Sequence, residues 1–128
     1  MSASGLTPTE LDAAITDATQ RGFEVVRSSP TTLLVDLDTI AARKQFDRVL
    51  SVLVRLYPVT GDPVFTESKS GNSHAVLTLD VELPLAERVA LQAALGSDGV
   101  KEILALARAD AGCTEPCLLF RPKQKGKA

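Results

Sequence analysis

Hydrophobic and polar residues alternate along residues 74–83, which is the clearest pattern in the chain. All five odd-numbered positions are apolar, and four of the five even-numbered positions are polar. Because successive side chains of a strand point to opposite faces, the pattern predicts a strand with one packed face and one open face. A second strand is predicted from Val64 to Ser68, and the small polar turn between the two predicts a β-hairpin.

Apolar residues recur at helical spacing in four other segments. The first begins with a capping box, in which Thr7 is the N-cap, Pro8 the first helical residue and Glu10 the third. The second ends at Pro58, which cannot continue a helix. The predicted helices run from Pro8 to Arg21, from Ile40 to Tyr57, from Leu85 to Leu95 and from Val100 to Ala109.

Three further strands are predicted at Phe23–Arg27, Thr31–Asp38 and Cys117–Phe120. From Thr31 onward the order is strand, helix, strand, strand, helical pair and strand. This order predicts an α+β fold with a ferredoxin-like or RRM-like βαββαβ arrangement. Its antiparallel sheet has the first and third strands at the centre and helices on one face. We expect residues 1–30 to pack on a core of residues 31–121, with a basic tail at 122–128.

Two carboxylates lie at the end of the apolar strand Thr31–Asp38. Asp36 and Asp38 point to the same face, because they are two residues apart on a strand. One interpretation is a divalent-metal site, since carboxylate oxygens are the ligands that Mg²⁺ and Mn²⁺ prefer. The other is a solvated strand end, with Asp38 or Thr39 capping the following helix.

The open face of the predicted sheet gathers further polar residues. Besides Asp36 and Asp38, it should carry His74, Thr78 and Asp80. The adjoining turn offers hydroxyls, amides and one cation that can hold a triphosphate. It consists of Lys69, Ser70, Gly71, Asn72 and Ser73. Each part also has a structural interpretation, as a surface lysine, a hairpin turn and a residue at a strand end.

Two motifs in this region resemble those of the archaeo-eukaryotic primase (primase-polymerase) superfamily. One is the apolar strand ending in Asp-x-Asp, from Leu33 to Asp38; the other is the small-residue–x–His strand start, from Ser70 to Leu77. The resemblance implies an RRM-like catalytic core, Mg²⁺ or Mn²⁺ held by Asp36 and Asp38, and nucleotide phosphates contacted by His74 and the preceding turn. It implies two-metal, template-directed nucleotidyl transfer in DNA replication. The partners would be nucleoside triphosphates, a single-stranded nucleic acid template and other replication proteins.

The chain departs from the family pattern at the third metal-binding acid. The family places that acid on a later strand, but the strand from Cys117 to Arg121 contains none. Either Glu115 or Asp80 takes this place, or the site binds metal weakly. The chain can accordingly be a minimal catalytic core, a piece of a larger replication protein or an inactive relative.

Charge and composition narrow the remaining possibilities. A net charge of −2 argues against a surface that coats nucleic acid nonspecifically. The basic end of the chain is either a solubilising tail or a contact for a phosphate backbone. It comprises Arg121, Lys123, Lys125 and Lys127. Without an apolar run of about 20 residues or a signal-peptide pattern, we expect a cytoplasmic protein that contacts no membrane. Cys113 and Cys117 are expected to be ordinary buried residues.

Two other functions use the same predicted fold. One is a non-catalytic RRM-like domain of a replication protein that binds nucleic acid or a nucleotide. Against RNA binding of the usual RRM kind, the strands of the predicted βαββαβ core contain only two aromatic residues, Phe65 and Phe120. The other is an interaction domain that pairs through its sheet. A rolling-circle nickase is excluded because it needs a pair of His ligands and the chain has one His.

Overall fold

Within the part of the chain that the structure describes, four helices and five strands follow the predicted order. A computed structural model describes residues 7–67 and 73–122. The elements are α1 (Pro8–Gln20), β1 (Phe23–Arg27), β2 (Thr32–Leu37), α2 (Ile40–Leu56), β3 (Val64–Glu67), β4 (Ser73–Thr78), α3 (Leu85–Ala94), α4 (Gly99–Asp110) and β5 (Leu118–Pro122).

Local sequence signals account for where the helices begin and end. Thr7 and Glu10 form the predicted capping box at the start of α1, and Gly22 with φ 92° follows its C-cap. The hydroxyl of Thr39 accepts a hydrogen bond from the backbone N–H of Ala42 and so caps α2. Among the described residues, each helix is too short or too polar to cross a membrane.

The strands form two small antiparallel sheets, so the fold is α+β as predicted. One sheet has the order β2-β4-β3 and the other consists of β1 and β5. The first agrees with the predicted neighbours, because Asp36 of β2 lies opposite His74 of β4. The predicted single sheet, however, has its final strand beside β2. Since β5 instead pairs with β1, the βαββαβ arrangement is not confirmed.

The outer edge of β2 is occupied by α3 and α4, and this explains why β5 pairs elsewhere. The backbone N–H of Leu34 donates to Gln92 Oε1 at 2.9 Å, and the Leu34 carbonyl accepts from Lys101 Nζ at 2.8 Å. An edge strand must satisfy its backbone groups or have them covered. Here side chains from two helices do so in place of a neighbouring strand.

The next residue along this edge is held in the same way. The backbone N–H of Asp36 donates to Ser97 Oγ at 3.0 Å, and the Asp36 carbonyl accepts from the backbone N–H of Asp98 at 2.9 Å. Both partners belong to the connection between α3 and α4. This connection is therefore fixed to β2 at the position of the first predicted metal ligand.

Both faces of the β2-β4-β3 sheet are covered. On one face Leu33, Val35 and Leu37 pack against Phe46 and Leu53 of α2. The opposite face contributes Leu34 and Val76 to a cluster with residues of α3, α4 and β5 and with the residue before β5, namely Val89, Ala105, Leu119 and Cys117. The expected open face is thus covered at its centre. The continuous apolar run Leu33-Leu34-Val35 is typical of a strand that is buried on both faces.

The β1–β5 sheet lies between this second cluster and α1. Leu11 of α1 packs against Cys113 and Leu118, and Ile15 and Val25 border the same cluster. Both cysteines, Cys113 and Cys117, are buried, as predicted.

Candidate metal centre

Three carboxylates meet at the end of β2. One oxygen from each of Asp36, Asp38 and Asp98 can be chosen so that all three lie within 4.8 Å of one another. Asp36 is on β2, Asp38 follows the strand, and Asp98 caps α4. The sequence predicted the first two, but neither of the two acids it proposed for the third position is there. The sequence did not predict Asp98, because this residue lies in a short Ser-Asp-Gly segment between two predicted helices and belongs to no recognisable motif.

The position of Asp98 is set by tight packing of the turn that precedes it. Gly96 has φ 99°, and a Cβ atom on it would lie 2.8 Å from the carbonyl oxygen of Ala42 in α2. Asp98 itself caps α4 by accepting a hydrogen bond from the backbone N–H of Val100 at 3.3 Å. The turn is therefore held between the first turn of α2 and the edge of β2.

Burial and the neighbouring carboxylates together raise the pKa of Asp36 from 3.8 to about 6. Burial of its side chain is the largest cause, followed by repulsion from Asp38 and a hydrogen bond between the two carboxyl groups. Asp98 raises the pKa further, and Lys101 lowers it. The group is thus easier to protonate than an ordinary aspartate, because it is partly buried and lies beside two other carboxylates.

Lys101, the described lysine that acts on Asp36, is already engaged with another acid. Lys101 Nζ lies 2.9 Å from Glu102 Oε2, and Glu102 is only 4% exposed. The other oxygen of Glu102 accepts a hydrogen bond from Gln92 Nε2 at 2.7 Å. Because Lys101 balances a buried carboxylate of its own, it only partly offsets the three aspartates.

His74 lies beside Asp36, in agreement with the prediction that both residues lie on adjacent strands of one sheet. Its Nε2 atom is 3.7 Å from Asp36 Oδ1, and the two side chains form an ion pair when the imidazole is protonated. The side chain is buried, with 7% of its surface exposed. The geometry therefore directs His74 toward Asp36, and its predicted contact with a nucleotide phosphate stays a prediction.

Asp80 and Glu115, the two predicted alternatives for the third acid, have other partners. Asp80 accepts a hydrogen bond from the hydroxyl of Thr60, beyond the end of β4 that lies away from His74. Glu115 forms an ion pair with Arg88 at 2.8 Å. Among the described residues, the acid that the structure brings to Asp36 and Asp38 is Asp98.

The remaining predicted residues are described only in part. Ser73 is the first residue of β4 and lies opposite Leu37, one residue before Asp38. The backbone of Arg121 pairs with Glu24 in the β1–β5 sheet. The other predicted contacts for phosphate or nucleic acid lie outside the described residues: Lys69, Ser70, Gly71, Asn72, Lys123, Lys125 and Lys127.

A cleft of about 320 Å³ opens next to the carboxylates, between α4 and β5. Asp36 and His74 lie at one side of it, together with Lys101 and Arg108 of α4, and Phe120 of β5 also lines it. Its volume is at the lower end of the range for small-molecule sites, about 300–1,000 Å³. It combines acids, cations and an aromatic ring that is 40% exposed.

The three carboxylates fit a hard divalent cation. Oxygens on opposite sides of such an ion are about 4.2 Å apart for Mg²⁺ and about 4.8 Å for Ca²⁺, given metal–oxygen distances of about 2.1 and 2.4 Å. The separation observed here, 4.8 Å or less, is compatible with both. All the donors are oxygens, which favours Mg²⁺, Mn²⁺ or Ca²⁺ over softer metals.

Comparisons of the chain with protein-family models, with curated proteins and with solved structures find no match. The resemblance to the primase superfamily therefore stays a prediction that depends on the two short motifs around Asp36 and His74. The evidence for the carboxylate cluster as a metal site comes from its geometry alone.

Proposed function

We propose that Asp36, Asp38 and Asp98 bind Mg²⁺ or Mn²⁺ and that the protein performs primase-polymerase-like nucleotidyl transfer in DNA replication. Its substrates are nucleoside triphosphates and a single-stranded nucleic acid template. The observation that carries the proposal is the convergence of the three carboxylates with the raised pKa of Asp36. A divalent cation offsets this excess of negative charge, and in nucleotidyl transfer it also stabilises charge on the reacting phosphate.

In this proposal each residue of the site has a defined task. The three aspartates hold the cation, and Lys101 limits the repulsion among them. His74 orients Asp36 through the contact between Nε2 and the carboxylate. The turn from Lys69 to Ser73 is proposed to bind the triphosphate. Its last residue, Ser73, lies opposite Leu37, which precedes Asp38 in the chain.

Two features of the fold support the family assignment. The strand order β2-β4-β3, with α2 between β2 and β3, matches three of the four strands of an RRM-like βαββαβ arrangement. The cleft beside Asp36 has room for part of a nucleotide, and Lys101 and Arg108 supply positive charge there. In this protein α4 and β5 lie over the sheet face that an RRM uses for RNA. A nucleotide is therefore proposed to enter from the cleft.

A second candidate is a nucleotide-binding domain without catalysis, possessing the same cleft. The departure from the family pattern favours it, because the last strand, β5, contains no acid. Both candidates bind the divalent cation, but only the first converts nucleoside triphosphates into product.

A calorimetric titration with Mn²⁺ tests the metal site. The wild type is compared with Asp36→Asn/Asp38→Asn and with the control Asp12→Asn/Asp62→Asn, which removes two exposed acids elsewhere. We expect one saturable site in the wild type and the control, and at least a tenfold weaker site in the Asp36/Asp38 variant. Equal Mn²⁺ affinity in all three proteins contradicts the proposal.

Primer synthesis on a single-stranded template, with labelled nucleoside triphosphates and Mn²⁺, then separates the two candidates. Product that depends on Asp36 and Asp38 supports nucleotidyl transfer. Nucleotide binding without any product, measured on the same preparation, supports the non-catalytic domain.

A further inference from the structure

The cations of the chain fall into two groups according to their contacts. Nine lysines and arginines have described side chains, and six of them form an ion pair or hydrogen bond with another described residue. These six are Arg21, Arg27, Arg43, Arg88, Lys101 and Arg108. For the other three, Lys44, Arg48 and Arg55, no partner is found within residues 7–67 and 73–122.

These three cations lie on one face of one helix. All belong to α2 and all are exposed. At about 100° per residue, spacings of four and seven place them within about 40° of one another around the helix axis. At about 1.5 Å per residue they extend over about 16 Å. We call Lys44, Arg48 and Arg55 the α2 cation row.

The three cations of the row repel one another, and no nearby described acid relieves this repulsion although the chain as a whole is acidic. The net charge is −2, yet α2 holds four cations and one acid, Asp47. That acid lies 3.5 Å from Arg43, which also stacks on the ring of Phe65 at 3.8 Å. No carboxylate among the described residues therefore pairs with the row, which forms a positive strip on a negatively charged protein.

The shape of the row indicates the kind of anion that it fits. A single phosphate meets one or two of the cations, whereas a row about 16 Å long can be filled by a chain of regularly spaced phosphates. The aromatic residues of α2 are limited to Phe46, which is buried. The row thus offers contacts to a backbone and no stacking surface for bases, which is a sequence-independent mode of binding.

We propose that the α2 cation row binds the phosphate backbone of a nucleic acid. The helix starts at Ile40, two residues after Asp38, so a strand along the row has one end close to the three carboxylates. The relation of this strand to catalysis rests on the proposed function. Binding to the row does not, because it needs neither a divalent cation nor the carboxylates.

Fluorescence anisotropy with a labelled oligonucleotide tests the proposal. The full chain is titrated in EDTA over a series of salt concentrations, with single-stranded and duplex probes of equal length. The test variant is Arg48→Gln/Arg55→Gln, and the matched control is Arg21→Gln/Arg27→Gln, which removes two exposed arginines outside α2. Gln is a good helix former, and the melting temperature of each variant verifies its folding.

We expect the test variant to lose affinity on the order of tenfold at low salt, with a salt slope smaller by roughly 1.4 for a single strand. Adding Lys44→Gln lowers the affinity and the salt slope further, and the control stays close to wild type in both. Asp36→Asn/Asp38→Asn should bind in EDTA at least as tightly as wild type, so failure of the metal site is separable from failure of the row.

Three results would overturn the inference. One is wild-type affinity and salt slope in the test variant. Another is an equal loss in the test variant and the control, which reflects net charge alone. The third is binding to phosphatidylserine vesicles that depends on Arg48 and Arg55 without binding to either nucleic acid, because Val52 and Leu56 are exposed beside the row.

Discussion

Charged groups lie near both ends of β2. Opposite charges are paired near the start of the strand, whereas like charges meet near its end. Near the start of the strand, Arg88 is 3% exposed and holds Glu115 through two contacts, at 2.8 and 3.2 Å. Ser28 Oγ donates a third hydrogen bond to the same carboxylate at 2.9 Å. Near the end of the strand, Asp36 meets two further carboxylates, and its pKa rises to about 6.

The difference separates a structural cluster from a candidate functional one. In the first, positive and negative charges match and the polar atoms have partners, so the cluster stabilises the fold once both residues are present. In the second, negative charges exceed the nearby positive ones. An arrangement that lowers stability by itself is expected where a ligand supplies the missing charge.

The strongest test of this comparison removes one partner of the matched pair. Arg88→Met leaves Glu115 without its cation, and we expect a loss of about 4 kcal/mol in the free energy of unfolding. Urea denaturation measures it. The control is Arg21→Met, whose ion pair with Asp17 is exposed and contributes at most about 1 kcal/mol. Similar losses in the two variants would show that Arg88 has no special structural role.

The second test disturbs the turn that brings Asp98 to the site. Gly96→Ala requires an unfavourable φ and pushes a methyl group against the Ala42 carbonyl, so we expect a loss of about 3 kcal/mol. Gly22→Ala is the matched control, because its φ is 92° and the space around it is open. It should lose only about 1 kcal/mol. Equal melting temperatures for the two variants would mean that the turn yields easily and does not fix Asp98.

The third test uses pH. Because the pKa of Asp36 is higher in the folded protein than its ordinary value of 3.8, folding favours the protonated form. Its contribution to stability is present below about pH 4 and is lost as the pH rises toward about 6. We expect Asp36→Asn to gain up to about 2 kcal/mol over wild type across this interval, as measured by thermal unfolding at a series of pH values. A difference that does not change with pH would contradict the raised pKa.

The smallest effect is expected for Asp98→Asn. Asparagine caps a helix as well as aspartate does, so the start of α4 is kept while one negative charge is removed. We expect stability without metal to rise by about 1 kcal/mol and Mn²⁺ affinity to fall. Asp110→Asn, an exposed acid at the other end of α4, is the control. Unchanged Mn²⁺ affinity in Asp98→Asn would remove Asp98 from the candidate site.

Much of the local structure was determined by the sequence itself. The capping residues Thr7 and Thr39 and the periodicity of each segment predicted the helices and strands, since these signals act over a few residues. The adjacency of Asp36 and His74 was also predictable. It follows from the predicted βαββαβ order, in which the first and third strands are neighbours at the centre of the sheet; these strands are β2 and β4.

Only the tertiary structure decided how the third acid is supplied and which surfaces stay exposed. Asp98 reaches Asp36 because Gln92, Ser97 and Lys101 bond to the edge of β2. These contacts join residues 58 to 67 positions apart. Hydrogen bonds between a helix side chain and a strand edge leave no periodic trace in the sequence, because any polar residue at the right place can make them. Because these contacts occupy the edge of β2, β5 pairs with β1 instead. Helices also cover the sheet face that had been expected to stay open.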